Sequence, residues 1–479
     1  MNIDDDALRA LAAEIGAKQP IKYPHKHLRV TALAGTGKTS TMCDLALNTV
    51  FGKEIPFEPT KQQAAIVSAI SSMLWEVENP RILFCAFAKA IQQELEKRVP
   101  SKVLTRTIHS FGFRTLVKNW KFGPDAFNED RMLDVIRKLT KFSPDRWRRF
   151  RRSNGNFIST VRKLVNSCKN NLLPRDQWCD EEFQKLVDHY DITLENSEDW
   201  PKVFNCAKQT LEYTLDNFEK ELQIDQTDMI WLPVMLNCKF EKFDMVVVDE
   251  AQDLNPCQQQ VVIRTGERVV FIGDPNQAIF GFAGSDITSM DTLTKTLGDC
   301  GELYLTKTHR CGKRIAKFAA ELVPAFEAFD SNPEGEVKMG VPFSRKQKNN
   351  YRKQVKEGDM ILCRCNAPLV SECFWFLKQG RKASIKGRNI GSSLSALVRQ
   401  ISKKNDSLSL NIFVELIDSW YENQLDLERS RTNPRDSYLQ LIGDQFQCIK
   451  EFVYWCEAGD TVQKPVSYTH LTLPTIYSV

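Results

Sequence analysis

Two apolar runs constrain this chain of 479 residues more than anything else in it. Met245-Val-Val-Val and Val269-Val-Phe-Ile have strand length, and each ends abruptly in acidic and amide residues. Asp249, Glu250, Gln252 and Asp253 follow the first; Asp274, Asn276 and Gln277 follow the second. An uninterrupted apolar run suits a strand buried on both faces, as in a parallel sheet covered by helices. In open parallel sheets, functional groups collect beyond the carboxyl ends of the strands. Asp249, Glu250, Asp274 and Gln277 are therefore expected to share one crevice.

A third stretch says what that crevice faces. Leu28 to Ala32 reads as a strand and Thr39 to about Val50 as a helix. Ala32-Leu-Ala-Gly35-Thr36-Gly37-Lys38-Thr39-Ser40 joins them, a phosphate-binding loop with Ala32 where the first glycine is usual. Glycines let backbone N–H groups approach phosphates, a lysine reaches the β- and γ-phosphates, and the following hydroxyl ligates Mg²⁺. Ala32, Gly35, Thr36, Gly37, Lys38, Thr39 and Ser40 are the expected nucleotide-binding residues. Thr39 and Asp249 are the expected Mg²⁺ ligands, because a buried carboxylate at a strand end suits a hard cation. The competing reading is a chance Gly-rich turn; the strand before it, the helix after it and the Asp249-Glu250 strand end argue against that.

Strand and helix alternate elsewhere too. Arg81 to Phe87 reads as a strand followed by a helix over Lys89 to Arg98, Val103 to Thr107 as another strand, and Thr60 to Trp75 as an amphipathic helix. This alternation predicts an α/β fold with a parallel sheet. From about Leu116 to Asn237 strand patterns vanish and amphipathic helices dominate, carrying five arginines between Arg146 and Arg152. The expected organisation is residues 1–115 and 241–305 as one discontinuous nucleotide-binding domain, 116–240 as a helical insertion, and 306–463 as part of a second α/β domain. That last part includes a strand over Asp359 to Arg364 and a helix over Asn366 to Gln379. Residues 464–479, rich in Thr, Ser, Tyr and Pro, have the character of a non-native tail.

The net charge of +4 is too mild to indicate a polyanionic partner by itself. The Arg146–Arg152 cluster reads equally well as a contact for duplex phosphates and as a solvated face, and a basic run from Arg345 to Lys356 reads more readily as a solvated face. The 14 cysteines show no C-x-x-C spacing and no His partners at zinc spacing, which suits reduced thiols and a cytoplasmic location. Met1 to Arg9 has no signal pattern, and no apolar run approaches the ~20 residues that span a bilayer.

Taken together, these motifs resemble the UvrD/Rep-like superfamily 1 DNA helicases over roughly residues 28–400. Ala32–Thr39 looks like the first motif of that family, Ala86-Phe-Ala-Lys-Ala90 the next, and Thr107-Ile-His109-Ser-Phe-Gly112 its Thr-x-His motif. Asp249-Glu-Ala-Gln-Asp253, Gly273-Asp-Pro-Asn-Gln277-Ala-Ile-Phe280-Gly-Phe282 and His309-Arg310 follow in the family order. The resemblance implies a P-loop, RecA-like first domain and a partial second RecA-like domain. It implies an ATPase with catalytic Lys38, Glu250, Gln277 and Arg310, in which Glu250 activates water and Gln277 reads the γ-phosphate. It also implies 3′-to-5′ movement on single-stranded DNA and contact with duplex junctions. Phe87, Phe280 and Phe282 are candidates for stacking on bases, and His109 for contact with the DNA backbone or a relay to the nucleotide.

The chain departs from the pattern in several places. Thr60-Lys-Gln-Gln63 follows the phosphate loop, whereas the family's adenine-reading glutamine precedes its loop, so the segment reads as a helix start with no adenine role. Ala283 stands where an arginine is frequent. Two late motifs, resembling Thr-x-His-x-x-Lys-Gly and Val-Ala-x-Thr-Arg, do not occur after residue 400. Weak hydrolysis and poor unwinding by this polypeptide are the consequence expected. The rival readings are a non-catalytic, helicase-derived DNA-binding or regulatory protein and a different P-loop ATPase.

Overall fold

A computed structural model describes residues 23–278 apart from 191, 193 and 195–198, residues 288–338, and residues 351–463 apart from 364, 386–389, 404, 431–435, 455 and 457–459. Two compact units divide the chain, Met1–Met339 and Gly340–Val479. Residues 306–339, assigned by sequence to the second domain, lie within the first of them.

The first unit begins with β1 (His27–Ala32), the phosphate loop and helix α1, which runs without a break through Lys38–Ser40, a π-helical stretch Thr41–Leu47, and Asn48–Val50. Then come α2 (Lys61–Met73), β2 (Ile82–Ala86), α3 (Lys89–Arg98), β3 (Leu104–Thr107) and α4 (Ile108–Trp120). The helical region follows with α5 (Arg131–Thr140), α6 (Pro144–Ser153), α7 (Gly155–Asn170), α8 (Asp180–His189), α9 (Trp200–Glu221) and α10 (Asp228–Met235). The sheet resumes with β4 (Phe243–Val248), α11 (Pro256–Thr265), β5 (Gly266–Gly273), α12 (Ser289–Leu297) and β6 (Cys300–Leu305). A small parallel pair, β7 (Lys307–Thr308) and β8 (Glu327–Ala328), flanks α13 (Lys313–Ala319).

Six parallel strands form the main sheet in the order β3-β2-β4-β5-β1-β6. Side chains alternate across it, as the pleat requires. Met245 and Val247 join one core with Leu28, Val30, Ile82, Phe84, Val270 and Ile272. Val246 and Val248 face the other way, with Leu83, Cys85, Val269 and Phe271, into a core that continues unbroken into helices α4 to α10. The helical region is therefore built onto one face of the sheet, which explains why β4 has no polar alternation. Gly112 on α4 serves this packing: a Cβ there would overlap the Met229 carbonyl oxygen.

Charge is also buried in the helical region. Lys169 on α7 donates to Asp228 Oδ1 at 2.7 Å and lies 3.5 Å from Asp225 Oδ2, with its ammonium 5.3 Å from the centre of the Trp231 ring. Arg131 Nε lies 3.3 Å from Asp228 Oδ2. Two cations thus balance two carboxylates, the arrangement that makes buried charge tolerable.

The second unit contains α14 (Asn366–Lys378), α15 (Ile390–Ile401), α16 (Leu410–Arg429) and α17 (Asp436–Tyr454) around a core including Val370, Phe374, Phe413, Ile417, Ile449 and Phe452. The helix anticipated from Asn366 is present; the strand anticipated over Asp359 to Arg364 is not. Residues 359–363 take no regular structure and residue 364 is outside the described residues. Met360 and Leu362 are 70% and 82% exposed. A strand needs a neighbour for its N–H and C=O groups, and the single bridge among this unit's described residues, Ser409 to Thr461, lies elsewhere. Cys363 and Cys365 are exposed. Arg352, in the second basic run, is not a solvated charge: it is buried in a two-pronged ion pair with Glu372 (2.7 and 2.8 Å) beneath Trp375. Among the described residues no helix is long and apolar enough to cross a membrane. Residues 1–22 and the tail 464–479 lie outside the described residues.

Candidate functional site

All six strands of the main sheet end on the same edge, and each end leads into a segment singled out in the sequence. β1 leads to the phosphate loop, β2 to Phe87, β3 to His109, β4 to Asp249, β5 to Asp274 and β6 to Arg310. Register keeps the central ends level: Thr31 pairs with Gly273, and Val248 with Phe271.

The loop between β1 and α1 turns through two left-handed glycines, Gly35 at φ +71° and Gly37 at +81°. Such angles strain any residue with a Cβ. Gly35 also has no room for one, since a Cβ would strike the Arg310 Cβ and the Thr308 hydroxyl, and its carbonyl accepts from His309 N at 2.8 Å. The loop is thus held against the residues after β6, which brings the exposed Arg310 beside it. Thr36 is buried and donates to the Leu33 carbonyl at 2.8 Å. Ser40 accepts from Arg98, which also pairs with Asp44.

Facing the loop, Lys38 Nζ donates to Glu250 Oε2 at 2.6 Å, and Thr39 Oγ1 to Asp249 Oδ2 at 3.0 Å. Asp249 is 5% exposed. Burial, and then the Glu250 charge, push its carboxyl upward against the pull of Lys38. Glu250 sits at φ +52°, a conformation unusual for a residue with a side chain and one that concentrates at functional sites. From Glu250 a chain of amides crosses to β5. Gln252 Nε2 donates to Glu250 Oε2 at 2.9 Å, Gln252 Oε1 accepts from Asp274 N at 3.1 Å, and Gln277 Nε2 donates to Asp274 Oδ2 at 2.6 Å. Gly273 leaves room for this link, because a Cβ there would overlap Gln252 Oε1.

Three glutamines belong to this arrangement without having been assigned a role from sequence. Gln252 carries the link just described. Gln63 and Thr60 form a capping box at the start of α2, and the buried Gln63 amide also donates to Thr41 Oγ1 in α1 at 3.1 Å. Gln62 clasps Thr306 after β6, donating to its hydroxyl and accepting from its N–H, both at 3.0 Å. The segment read only as a helix start therefore ties the phosphate-loop helix to the strand end that carries Arg310. The signal was the Thr-x-x-Gln box itself, whose second partner lies 22 residues back along the chain.

Phe87 is half-buried at the end of β2. His109, in the first turn of α4, is held below its ordinary pKa by burial, so it faces its surroundings as a neutral ring. Phe280 and Phe282, with Ala283, lie outside the described residues. His309 packs against Phe329, with ring centres 4.6 Å apart.

Residues 14–298, more than half of the chain, match the UvrD/REP helicase N-terminal domain. The chain belongs to the UvrD/REP helicase family. F-box DNA helicase protein 1 of Schizosaccharomyces pombe is 24% identical over 324 residues, covering 62% of this chain and 30% of that protein. F-box DNA helicase 1 of Gallus gallus is 24% identical over 473 residues, 92% of this chain and 40% of its own length. The mitochondrial ATP-dependent DNA helicase HMI1 of Saccharomyces cerevisiae is 24% identical over 283 residues, 56% and 34%. The chain thus spans well under half the length of these relatives. The RecA-like P-loop fold of the family accounts for the six-stranded sheet and for the gathering of motifs at its carboxyl edge.

Proposed function

We propose that the chain is an ATP-dependent DNA helicase or translocase, with its nucleotide site at the carboxyl edge of the sheet. The observation that carries this reading is the contact of Lys38 and Thr39 with Glu250 and Asp249. It joins a phosphate loop to two carboxylates 210 and 212 residues away along the chain. Backbone N–H groups of the loop and Lys38 bind the phosphates. Thr39 and Asp249 offer the oxygen donors Mg²⁺ prefers, and the buried Asp249 carboxylate already 3.0 Å from the Thr39 hydroxyl fits that role. Bound there, the ion would neutralise charge on the phosphates.

Lys38 is held by Glu250 in the present arrangement, so an entering phosphate competes with Glu250 for the ammonium. Glu250 is thereby released when a phosphate is in place, and it accepts a proton from the water attacking the γ-phosphorus as the bond to the bridging oxygen breaks. Arg310 adds positive charge to the departing group. Gln277 reports the γ-phosphate to the segment after it, where Phe280 and Phe282 would stack on bases of a single strand, joined by Phe87 and by His109 as a neutral donor. Movement from 3′ to 5′, and activity at duplex junctions, are carried over from the family resemblance. Because the two late motifs do not occur after residue 400, hydrolysis by this polypeptide is proposed to be slow.

The test uses nucleotide binding as well as turnover. A fluorescent ATP analogue is titrated with Mg²⁺ into the protein, and phosphate release is followed with and without oligo-dT. Lys38→Ala is expected to weaken nucleotide binding at least ~10-fold, about 1.4 kcal/mol. Glu250→Gln is expected to retain binding and lose the residual, DNA-stimulated turnover. Unchanged binding in Lys38→Ala would overturn the site assignment.

A further inference from the structure

Helix α3 joins two places that the nucleotide reading leaves unconnected. It begins two residues after Phe87, the half-buried aromatic at the end of β2, and its last residue is Arg98. Leu95 is its one buried side chain, so the rest of the helix is held by polar contacts or by none. A helix of 10 residues is a stiff rod of about 15 Å. A displacement at the Phe87 end is therefore carried to the Arg98 end.

That far end grips α1. Arg98 Nη2 donates to Ser40 Oγ at 2.9 Å and to Asp44 Oδ2 at 2.5 Å, and Nε donates to Asp44 Oδ1 at 3.3 Å. One guanidinium thus spans two residues a turn apart on α1, which its planar fork of donors allows. The Arg98 and Asp44 side chains are only 29% and 20% exposed, so the pair is largely shielded from solvent. Both residues it holds bear on the phosphate loop. Ser40 closes the loop in the same turn as Lys38 and Thr39. Asp44 lies in the π-helical stretch Thr41–Leu47, which starts at the very next residue. Such departures from α geometry are rare and frequent at functional sites. Arg98 therefore fixes α1 where its backbone is least regular and where any shift moves Lys38 and Thr39.

We propose that Arg98 is a positioning residue that couples the base-contacting segment at Phe87 to the phosphate loop. A single strand seated at Phe87 fixes the start of α3. Arg98 then fixes Ser40 and Asp44, and holds Lys38 and Thr39 in the arrangement that receives phosphates and Mg²⁺. This route runs from the end of β2 and is separate from the one through Gln277 after β5. It rests on the reading of the chain as an ATP-dependent enzyme acting on DNA. The coupling is reciprocal: oligo-dT strengthens nucleotide binding by the same factor as nucleotide strengthens oligo-dT binding.

The experiment titrates the fluorescent ATP analogue with Mg²⁺ into the full chain with and without saturating oligo-dT, and labelled oligo-dT with and without the analogue. In the wild type the two affinity ratios are expected to agree, at about 5-fold or more. In Arg98→Met both ratios are expected to fall at least ~3-fold, while oligo-dT affinity in the absence of nucleotide stays within about twofold of wild type, because Phe87 is untouched. Arg98→Lys keeps a charge opposite Asp44 but loses the fork. It is expected to melt as the wild type does and still to show less than about half the wild-type ratio. These readouts separate coupling from plain support of the fold, which would lower the melting temperature and leave the ratios alone. A wild-type ratio in either folded variant overturns the proposal; should Arg98→Met fail to fold, Arg98→Lys decides by the same criterion. A wild type that binds both ligands independently of each other overturns this inference alone. A wild type that binds neither overturns the reading as a DNA-acting ATPase and the inference with it.

Discussion

Asp253 is a residue whose ionisation the fold resists. It is buried, its Oδ1 has no hydrogen-bond partner among the described residues, and burial followed by the Glu250 charge pushes its carboxyl up to about 6. An ordinary aspartate titrates near ~3.9. With the folded pKa above the unfolded one, the native state holds the proton more tightly. Its contribution to stability is therefore greatest below about pH 4, falls as pH rises to about 6, and is constant beyond. Asp253→Asn removes this titration. The difference in melting temperature between variant and wild type is expected to grow in favour of the variant from pH 4 to pH 6 and then to level. A difference that stays flat across that range would assign the unpaired oxygen another role, such as holding a water of the Mg²⁺ shell. Glu250, by contrast, carries its strain in the backbone, with the left-handed φ of a residue held for its chemistry.

At the scale of elements, the buried charges show what fastens the helical region. Lys169 is fully enclosed; burial alone would lower its pKa, yet Asp225 and Asp228 outweigh burial and hold the ammonium charged. Lys169→Met would leave two carboxylates facing Arg131 alone. The expected cost is about 3–5 kcal/mol, read as a lower urea midpoint. Since α7 and α10 share a core with β4 and β5, the loss is expected in one cooperative transition with the sheet. None of this pairing was legible in sequence, because its partners are 56 and 59 residues apart and lie among ordinary surface charges. What was legible had local causes. α3 begins and ends where its pattern placed it, at Lys89 and Arg98, and the strand before it is continuously apolar. The expected strand over 359–364 failed for the complementary reason: its apolar run, Met360 to Cys363, has strand length, but strand formation depends on a partner that no local pattern supplies. Gln63 was misjudged similarly, since a capping box explains its spacing completely and hides its second bond to Thr41.

At the scale of the molecule, the decisive feature is that one sheet edge collects six strand ends from residues 32 to 305, with the largely helical residues 108–242 inserted between the third and the fourth. The insertion does not disturb the edge, because it packs on a face of the sheet rather than at its ends. The same logic says what the first unit needs in order to stand alone. Its two cores, on either face of the sheet, are composed entirely of residues before 306. The phosphate loop and its neighbouring helix are braced by Thr306, Thr308 and Arg310 and, under Leu33, by Ala316 and Phe326, and Asn332 ties Thr308 to Cys311 by donating to both carbonyls at 2.8 Å. Every one of these precedes Met339. A fragment ending at Met339 is therefore expected to unfold cooperatively and to bind the ATP analogue within about threefold of the full chain, a difference under ~0.7 kcal/mol. One ending at Leu305 lacks the clasp of Gln62 on Thr306 and the packing of Arg310 on Gly35, and is expected to bind at least ~10-fold more weakly, about 1.4 kcal/mol. Circular dichroism melts and nucleotide titrations on the two fragments decide the matter. Equal binding by both would place the support of the phosphate loop wholly within the sheet and make the segment 306–339 dispensable to it.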